Sequence, residues 1–390
     1  MATEASEPAA IDGICDPRFA AVRDAFAANF VLHGEVGAAV TISVGGRVVV
    51  DLWGGFSDGA RRRPWQRETM VNVFSVSKAL SALCVHRLVE RGLLDLDAPI
   101  ARLWPGFAAA GKDAITPRQL LAHRAGLPAI RAALPEGAML DWPRMVAALE
   151  QQAPWWTPDS AHGYHVNTFG FLVGELVRRA TDKTIGHVLR DEVAGPLGAD
   201  VHIGVPAREH ARIAEFLWTM PVPPAPGDPA RLSEEHALQW NTYFNPPGIS
   251  GSSGWVNSTA WREAEVPSTN GHASARGIAR VFAALAVGGT IEGVHVLAAP
   301  TLAAATSEHS SGTDFVLLRP SRFGLGFQLT QLERPLGPNP GAFGHFGSGG
   351  ALGFCDPETG LAFGYVMNHM GPRWQNPRNH ALIEAAYASL

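Results

Sequence analysis

Apolar and polar residues alternate across 36–54, with β-branched residues on both sides of Gly45-Gly46, and this pattern predicts two strands joined by a primed two-residue turn. Further along, the period changes to that of a helix. Across 75–90 the apolar positions Ala79, Leu80, Ala82, Leu83, Val85, Leu88 and Val89 fit one helix, which Gly92 closes. From 101 to about 275 the pattern is mostly helical and broken by turns, with helices predicted over 145–151 and 168–181. Two stretches dense in proline and glycine, 221–229 and 245–254, exclude regular structure and read as loops of the kind that border binding sites. A helix over 277–287 then leads into strand-like runs at 324–331, 343–346, 351–356 and 361–368, and 379–390 is again helical. Strands at both ends with helices between them predict a sheet built from the two termini, formed by 1–100 and 276–390. A helical and loop unit, 101–275, would form the other wall of a cleft.

Composition narrows the class. At 390 residues, 46% hydrophobic and 17% charged, the chain is long enough for a large core and is not of disordered type. A net charge of -5 gives no electrostatic footprint for nucleic acid. Residues 1–15 lack a basic start followed by an apolar core, and no apolar run reaches membrane-spanning length, so neither a signal peptide nor a membrane segment is expected. Cys15, Cys84 and Cys355 are odd in number and show no C-x-x-C spacing, which fits free thiols and a cytoplasmic location. Cys84 reads as a small core residue. The fifteen histidines include no H-E-x-x-H, so no metal and no cofactor is expected. G-x-S-x-G is also absent, which argues against an ordinary α/β-hydrolase elbow. The expected partner is a small molecule, and the oligomeric state is left open.

Against that background lysine usage stands out. The chain has three lysines and 28 arginines, and Lys78 lies one turn after Ser75 in Phe74-Ser75-Val76-Ser77-Lys78. Residues three apart share a helix face, so both side chains would meet in one place. Unlike arginine, a desolvated lysine gives up its proton near neutral pH and serves as a base. Ser75 in the first turn of its helix would also have unpaired backbone N–H groups available to an oxyanion. Tyr164, one of four tyrosines, opens Tyr164-His165-Val166-Asn167-Thr168 at a helix entrance. A phenol beside a lysine ammonium is expected to have a lowered pKa and to take the serine proton. The run Gly344-His345-Phe346-Gly347-Ser348-Gly349-Gly350 would let backbone approach a ligand and leave N–H donors free.

These three elements, in this order, resemble the serine-reactive family of class C β-lactamases, penicillin-binding D-alanyl-D-alanine peptidases and family VIII carboxylesterases. The runs 91–100 and 116–128 are similar to stretches that follow the S-x-x-K motif there. The resemblance implies a β-lactamase/transpeptidase-like fold of α/β (α+β) class, an antiparallel sheet flanked by helices. It implies Ser75 as nucleophile, Lys78 as its base, Tyr164 as the family tyrosine, and the backbone N–H groups of Ser75 and Ser348 as oxyanion hole. His345-Phe346-Gly347 stands where the family has K-T-G, and a neutral His345 cannot hold a substrate carboxylate as that lysine does. Val166 stands where many lactamases carry asparagine, with Asn167 one position late. Both departures favour a neutral ester over a β-lactam. Tryptophans such as Trp155 and Trp255 are expected to line an apolar substrate pocket. The implied activity is a serine carboxylesterase for small neutral esters, with acyl transfer and weak β-lactam hydrolysis as side reactions. The alternatives are a β-lactamase, a D-amino-acid peptidase, or a non-catalytic scaffold of the same fold.

Overall fold

The computed structural model describes residues 10–219, 232–248, 253–372 and 374–390. The loop expected at 221–229 lies outside the described residues, as does the centre of 245–254. A nine-stranded antiparallel sheet runs in the order Ile11–Cys15, Arg47–Gly55, Gly37–Val44, Leu361–Met367, Leu352–Asp356, Phe343–Phe346, Gln328–Leu329, Pro320–Phe323, Ser310–Thr313. The strands after residue 300 thus join those before residue 60 through the pairing of Leu361–Met367 with Gly37–Val44. The hairpin turn is the predicted one: Gly45 and Gly46 have φ of 56° and 81°, the double positive φ that a primed turn requires.

Both faces of the central strands are covered: Leu361–Met367 reads as an apolar run, and in the alternating strand Gly37–Val44 the polar Thr41 and Ser43 are buried as well. Helix Ala275–Ala286 packs on one face, close enough that a Cβ on Gly364 would stand 2.2 Å from the Ala275 carbonyl oxygen. Tyr365 points the opposite way, as strand alternation requires, and hydrogen-bonds Glu35 on the side of the terminal helices Ala20–Leu32 and Pro377–Ala388. Those two helices pack on each other.

Helix Val76–Glu90 is buried nearly all round, the pattern of a central helix, and packs against helix Thr168–Thr181 and strand Phe343–Phe346. The strand before it, Val71–Phe74, belongs to a second sheet with Gly271–Ala273 and Val201–His202. The sequence reading made 101–275 mostly helical and so missed two of these strands, which at two and three residues are too short to show a period. Strand Ile11–Cys15 and helix Ala20–Leu32 were missed as well. The run 324–331, read as one strand, is the end of a hairpin: Gly326, at φ 86°, separates Pro320–Phe323 from Gln328–Leu329.

Candidate active site

Phe74 ends its strand at φ 47°, in the left-handed region that an aromatic residue occupies only under constraint from its surroundings. Its ring packs edge-on against Phe216 and Trp218, with centroids 4.8 and 6.1 Å away. This corner turns the chain so that Ser75 stands at the N-terminus of helix Val76–Glu90. The corner is pinned from behind, since the Ser77 hydroxyl donates to the Phe74 carbonyl and accepts from the Gly271 N–H at 2.8 Å.

Lys78 is fully buried, with Nζ 3.3 Å from Ser75 Oγ and 2.9 Å from the Ser268 carbonyl, to which it donates. Burial alone pushes its ammonium well below the usual lysine range, with no carboxylate to restore it. Ser268 is itself fixed, its hydroxyl donating to the Asn167 carbonyl at 2.8 Å. The segment Ser268-Thr269 went unread in the sequence because its contribution is a backbone carbonyl, which no residue type announces. Thr269 lines the cleft and donates to the Asn167 side-chain oxygen at 3.3 Å.

The Tyr164 ring lies 4.7 Å from Lys78 Nζ and stacks on Phe323 at 5.7 Å. Its N–H donates to Asp314 Oδ1 at 3.0 Å, and its phenol lies beside the Ser75 hydroxyl. The expectation of a lowered phenol pKa is overturned. Complete burial pushes Tyr164 well above its ordinary value, and the neighbouring Ser75 hydroxyl only partly opposes this, so the group is a neutral phenol. Of the two groups, Lys78 is the one whose proton burial loosens, and Tyr164 the one whose proton burial holds. Its OH lies 3.4 Å from His345 Nε2. His345 Nδ1, 2.7 Å from the Phe346 carbonyl, must carry the ring proton, leaving Nε2 to accept from the phenol. Burial, with Lys78 nearby, pushes His345 down to about 3, so it is neutral at pH 7.

These groups open into a cleft of about 930 Å³ lined from both sides, by Val166, Asn167, Trp218, Tyr243 and Trp261 and by Leu317, Arg319, Ser348, Met370 and Trp374. Ser75 and Ser348 both front it. Gly347 lies against the strand that carries Ser75, where a Cβ would stand 2.3 Å from the Val73 carbonyl oxygen. His345 and Phe346 are buried beneath the cleft rather than lining it; the Phe346 N–H donates to Gln328 Oε1 at 2.9 Å. Trp155 and Trp255 do not line it either. The Trp155 indole donates to the Ala129 carbonyl at 2.9 Å beneath the Arg131 guanidinium, and that of Trp255 to Glu136 at 3.2 Å. The tryptophans brought to the cleft are Trp218, Trp261 and Trp374. Among the described residues no cluster of histidine, cysteine and carboxylate side chains is arranged to hold a metal ion, and no helix is long and apolar enough to cross a membrane.

A serine beside a buried lysine on a central helix, fronting a cleft in a chain built around a nine-stranded antiparallel sheet, defines a hydrolase of the β-lactamase fold. The Beta-lactamase family model matches residues 23–388, and the chain belongs to that family. It is 36% identical over 371 residues to the esterase/beta-lactamase LipL of Mycobacterium tuberculosis, covering 92% of this chain and 83% of that one. Among solved structures it resembles a family VIII carboxylesterase (42% identity, TM-score 0.89, 98% of this chain and 100% of the other). It also resembles a penicillin-binding protein homolog from Caulobacter crescentus (40%, TM-score 0.88, the same coverage).

Proposed function

We propose that this protein is a serine carboxylesterase acting on small neutral esters through an acyl-enzyme on Ser75. The observation that carries the reading is the fully buried Lys78 amine 3.3 Å from Ser75 Oγ. In its unprotonated form, which burial favours, Lys78 takes the Ser75 proton as Oγ bonds to the ester carbonyl carbon, and the N–H groups of Ser75 and Ser348 hold the oxyanion. The carbon–oxygen bond to the alcohol then breaks. The leaving alkoxide takes the proton from the Lys78 ammonium by way of Tyr164, whose phenol regains what it gives. Water repeats the sequence on the acyl group, giving its proton to Lys78, and Ser75 recovers its own.

The neutral, buried His345 favours an uncharged substrate, because no cation stands at that position to hold a carboxylate. A β-lactam side activity is the second reading, favoured by the likeness to LipL, which is named for both activities. The test is hydrolysis of p-nitrophenyl acetate and butyrate by the wild type and by Ser75→Ala, with nitrocefin in parallel. Ester hydrolysis lost with Ser75, and far more efficient than nitrocefin turnover, is the expected result. Equal efficiency on nitrocefin would reverse the ranking of substrates, and hydrolysis that persists in Ser75→Ala would remove the nucleophile. Failure of a fluorophosphonate to label Ser75 would revive the non-catalytic scaffold.

A further inference from the structure

The turn after strand Phe343–Phe346, which carries Ser348, is gripped from behind by the start of the C-terminal helix Pro377–Ala388. Asn376 Nδ2 donates to the Gly349 carbonyl at 3.1 Å, and the Gly371 N–H donates to the same oxygen at 3.0 Å. Asn379 Nδ2 donates to the Gly350 carbonyl at 2.9 Å and to that of Trp374, a cleft residue, at 2.7 Å. Arg378 reaches the His369 carbonyl at 3.0 Å, and its charge is met by Glu35 at 2.7 Å, a pair with almost no solvent exposure. The approach is close: a Cβ on Gly350 would stand 2.5 Å from Asn376 Nδ2, and one on Gly371 2.5 Å from Arg378 Nη2. None of the three side chains lines the cleft, and all are buried.

We propose that Asn376, Arg378 and Asn379 are positioning residues that set the direction of the Ser348 N–H toward the oxyanion. This rests on the esterase reading above, in which that N–H is one of the two donors. An oxyanion donor acts only if it is held at the point where charge develops, and the turn that carries it has no strand partner of its own. Its two carbonyls at Gly349 and Gly350 are instead fixed by amides anchored in a helix, and the helix is tied through Arg378 and Glu35 to the N-terminal part of the chain.

The discriminating variants are Asn376→Asp and Asn379→Asp. Each keeps the side-chain oxygen that completes the helix cap, which accepts from the Arg378 N–H in the first case and from the Asn376 N–H in the second. Each replaces the donated N–H with an oxygen facing a carbonyl. The expected result with p-nitrophenyl butyrate is a kcat lowered about tenfold or more with KM within roughly twofold. Benzeneboronic acid, whose tetrahedral adduct on Ser75 uses the same N–H, should weaken by a similar factor. Unchanged kcat and boronate affinity in both variants would overturn the proposal, whatever their melting temperatures. Loss of folding in both would assign the residues to stability alone and overturn it equally. Wild-type hydrolysis that survives Ser75→Ala would overturn the esterase reading and the clamp with it. Intact Ser75 dependence beside unaffected variants would overturn the clamp alone.

Discussion

Two of the three lysines are buried, and their partners separate a structural role from a reactive one. Lys112 donates to the carbonyls of Ala109, Glu150 and Gln152 at 2.7, 2.8 and 2.7 Å, three acceptors for the three protons of an ammonium. Burial pushes it down only to about 8, with Glu150 opposing. Lys78 has one carbonyl and one hydroxyl, and burial acts on it unopposed. Its folded pKa therefore lies well below the unfolded value near 10.4, and the unfolded chain binds the additional proton between the two values. Stability rises with pH across that window, and below it the buried amine costs stability in full. Lys78→Met is accordingly expected to lose hydrolysis and to gain about 1 kcal/mol of stability, as replacements of strained functional groups commonly do. Melting curves from pH 6 to 10 check both the gain and its sign, because the gap between variant and wild type should narrow as pH rises. A variant that melts below wild type throughout would mean that the Ser268 hydrogen bond outweighs the cost of burial. The wild-type kcat/KM should rise with pH through the same ionisation, with no limb from His345, which is neutral down to about 3.

At the scale of elements, the site depends on two strands from different sheets lying almost in contact. Val71–Phe74 delivers Ser75, Phe343–Phe346 delivers Ser348, and Gly347 is where they meet. Gly347→Ala places a methyl 2.3 Å from the Val73 carbonyl oxygen, a backbone atom that cannot swing aside, so the strands must part. The expected outcome is a kcat lowered more than tenfold and a stability loss of about 1–3 kcal/mol, the usual cost of overpacking. Steady-state kinetics beside a denaturant titration check it, and wild-type kcat in the variant would show that the two donors tolerate separation. Long periodic elements were legible in the sequence: the predicted helix at 168–181 is the observed Thr168–Thr181, and the hairpin about Gly45-Gly46 stands as read. Ile11–Cys15 was not legible, because its pairing with Arg47–Gly55 supplies the strand and its own five residues show no alternation. The Ser75 and Lys78 pair could be anticipated because helical spacing is local. The Ser268 carbonyl could not, being 190 residues away and carried by backbone.

For the whole molecule, the cleft walls are assembled from segments that sequence order does not relate, and this is why the tryptophans were misassigned. Trp155 and Trp255 have indole partners elsewhere, whereas Trp218 and Trp374 converge on the nucleophile from positions 156 residues apart. Trp374 packs edge-on against Tyr164 at 5.3 Å and carries the Arg319 guanidinium 4.9 Å above its ring. Trp218 leans on Phe74, next to Ser75. A cleft of about 930 Å³ walled in this way has more apolar surface to offer than an acetyl group uses. Each further methylene buried against it is worth up to about 0.8 kcal/mol, or roughly fourfold in kcat/KM when the gain is expressed in the transition state. The two added methylenes should therefore bring the rise from p-nitrophenyl acetate to butyrate toward about fifteenfold, and Trp374→Ala or Trp218→Ala should flatten it while sparing the acetate rate. Loss of both rates in equal proportion would assign the rings to holding Tyr164 and Phe74 in place. An unchanged slope in both variants would mean that the acyl chain lies against another wall, with Tyr243, Phe244 and Leu317 the next to substitute.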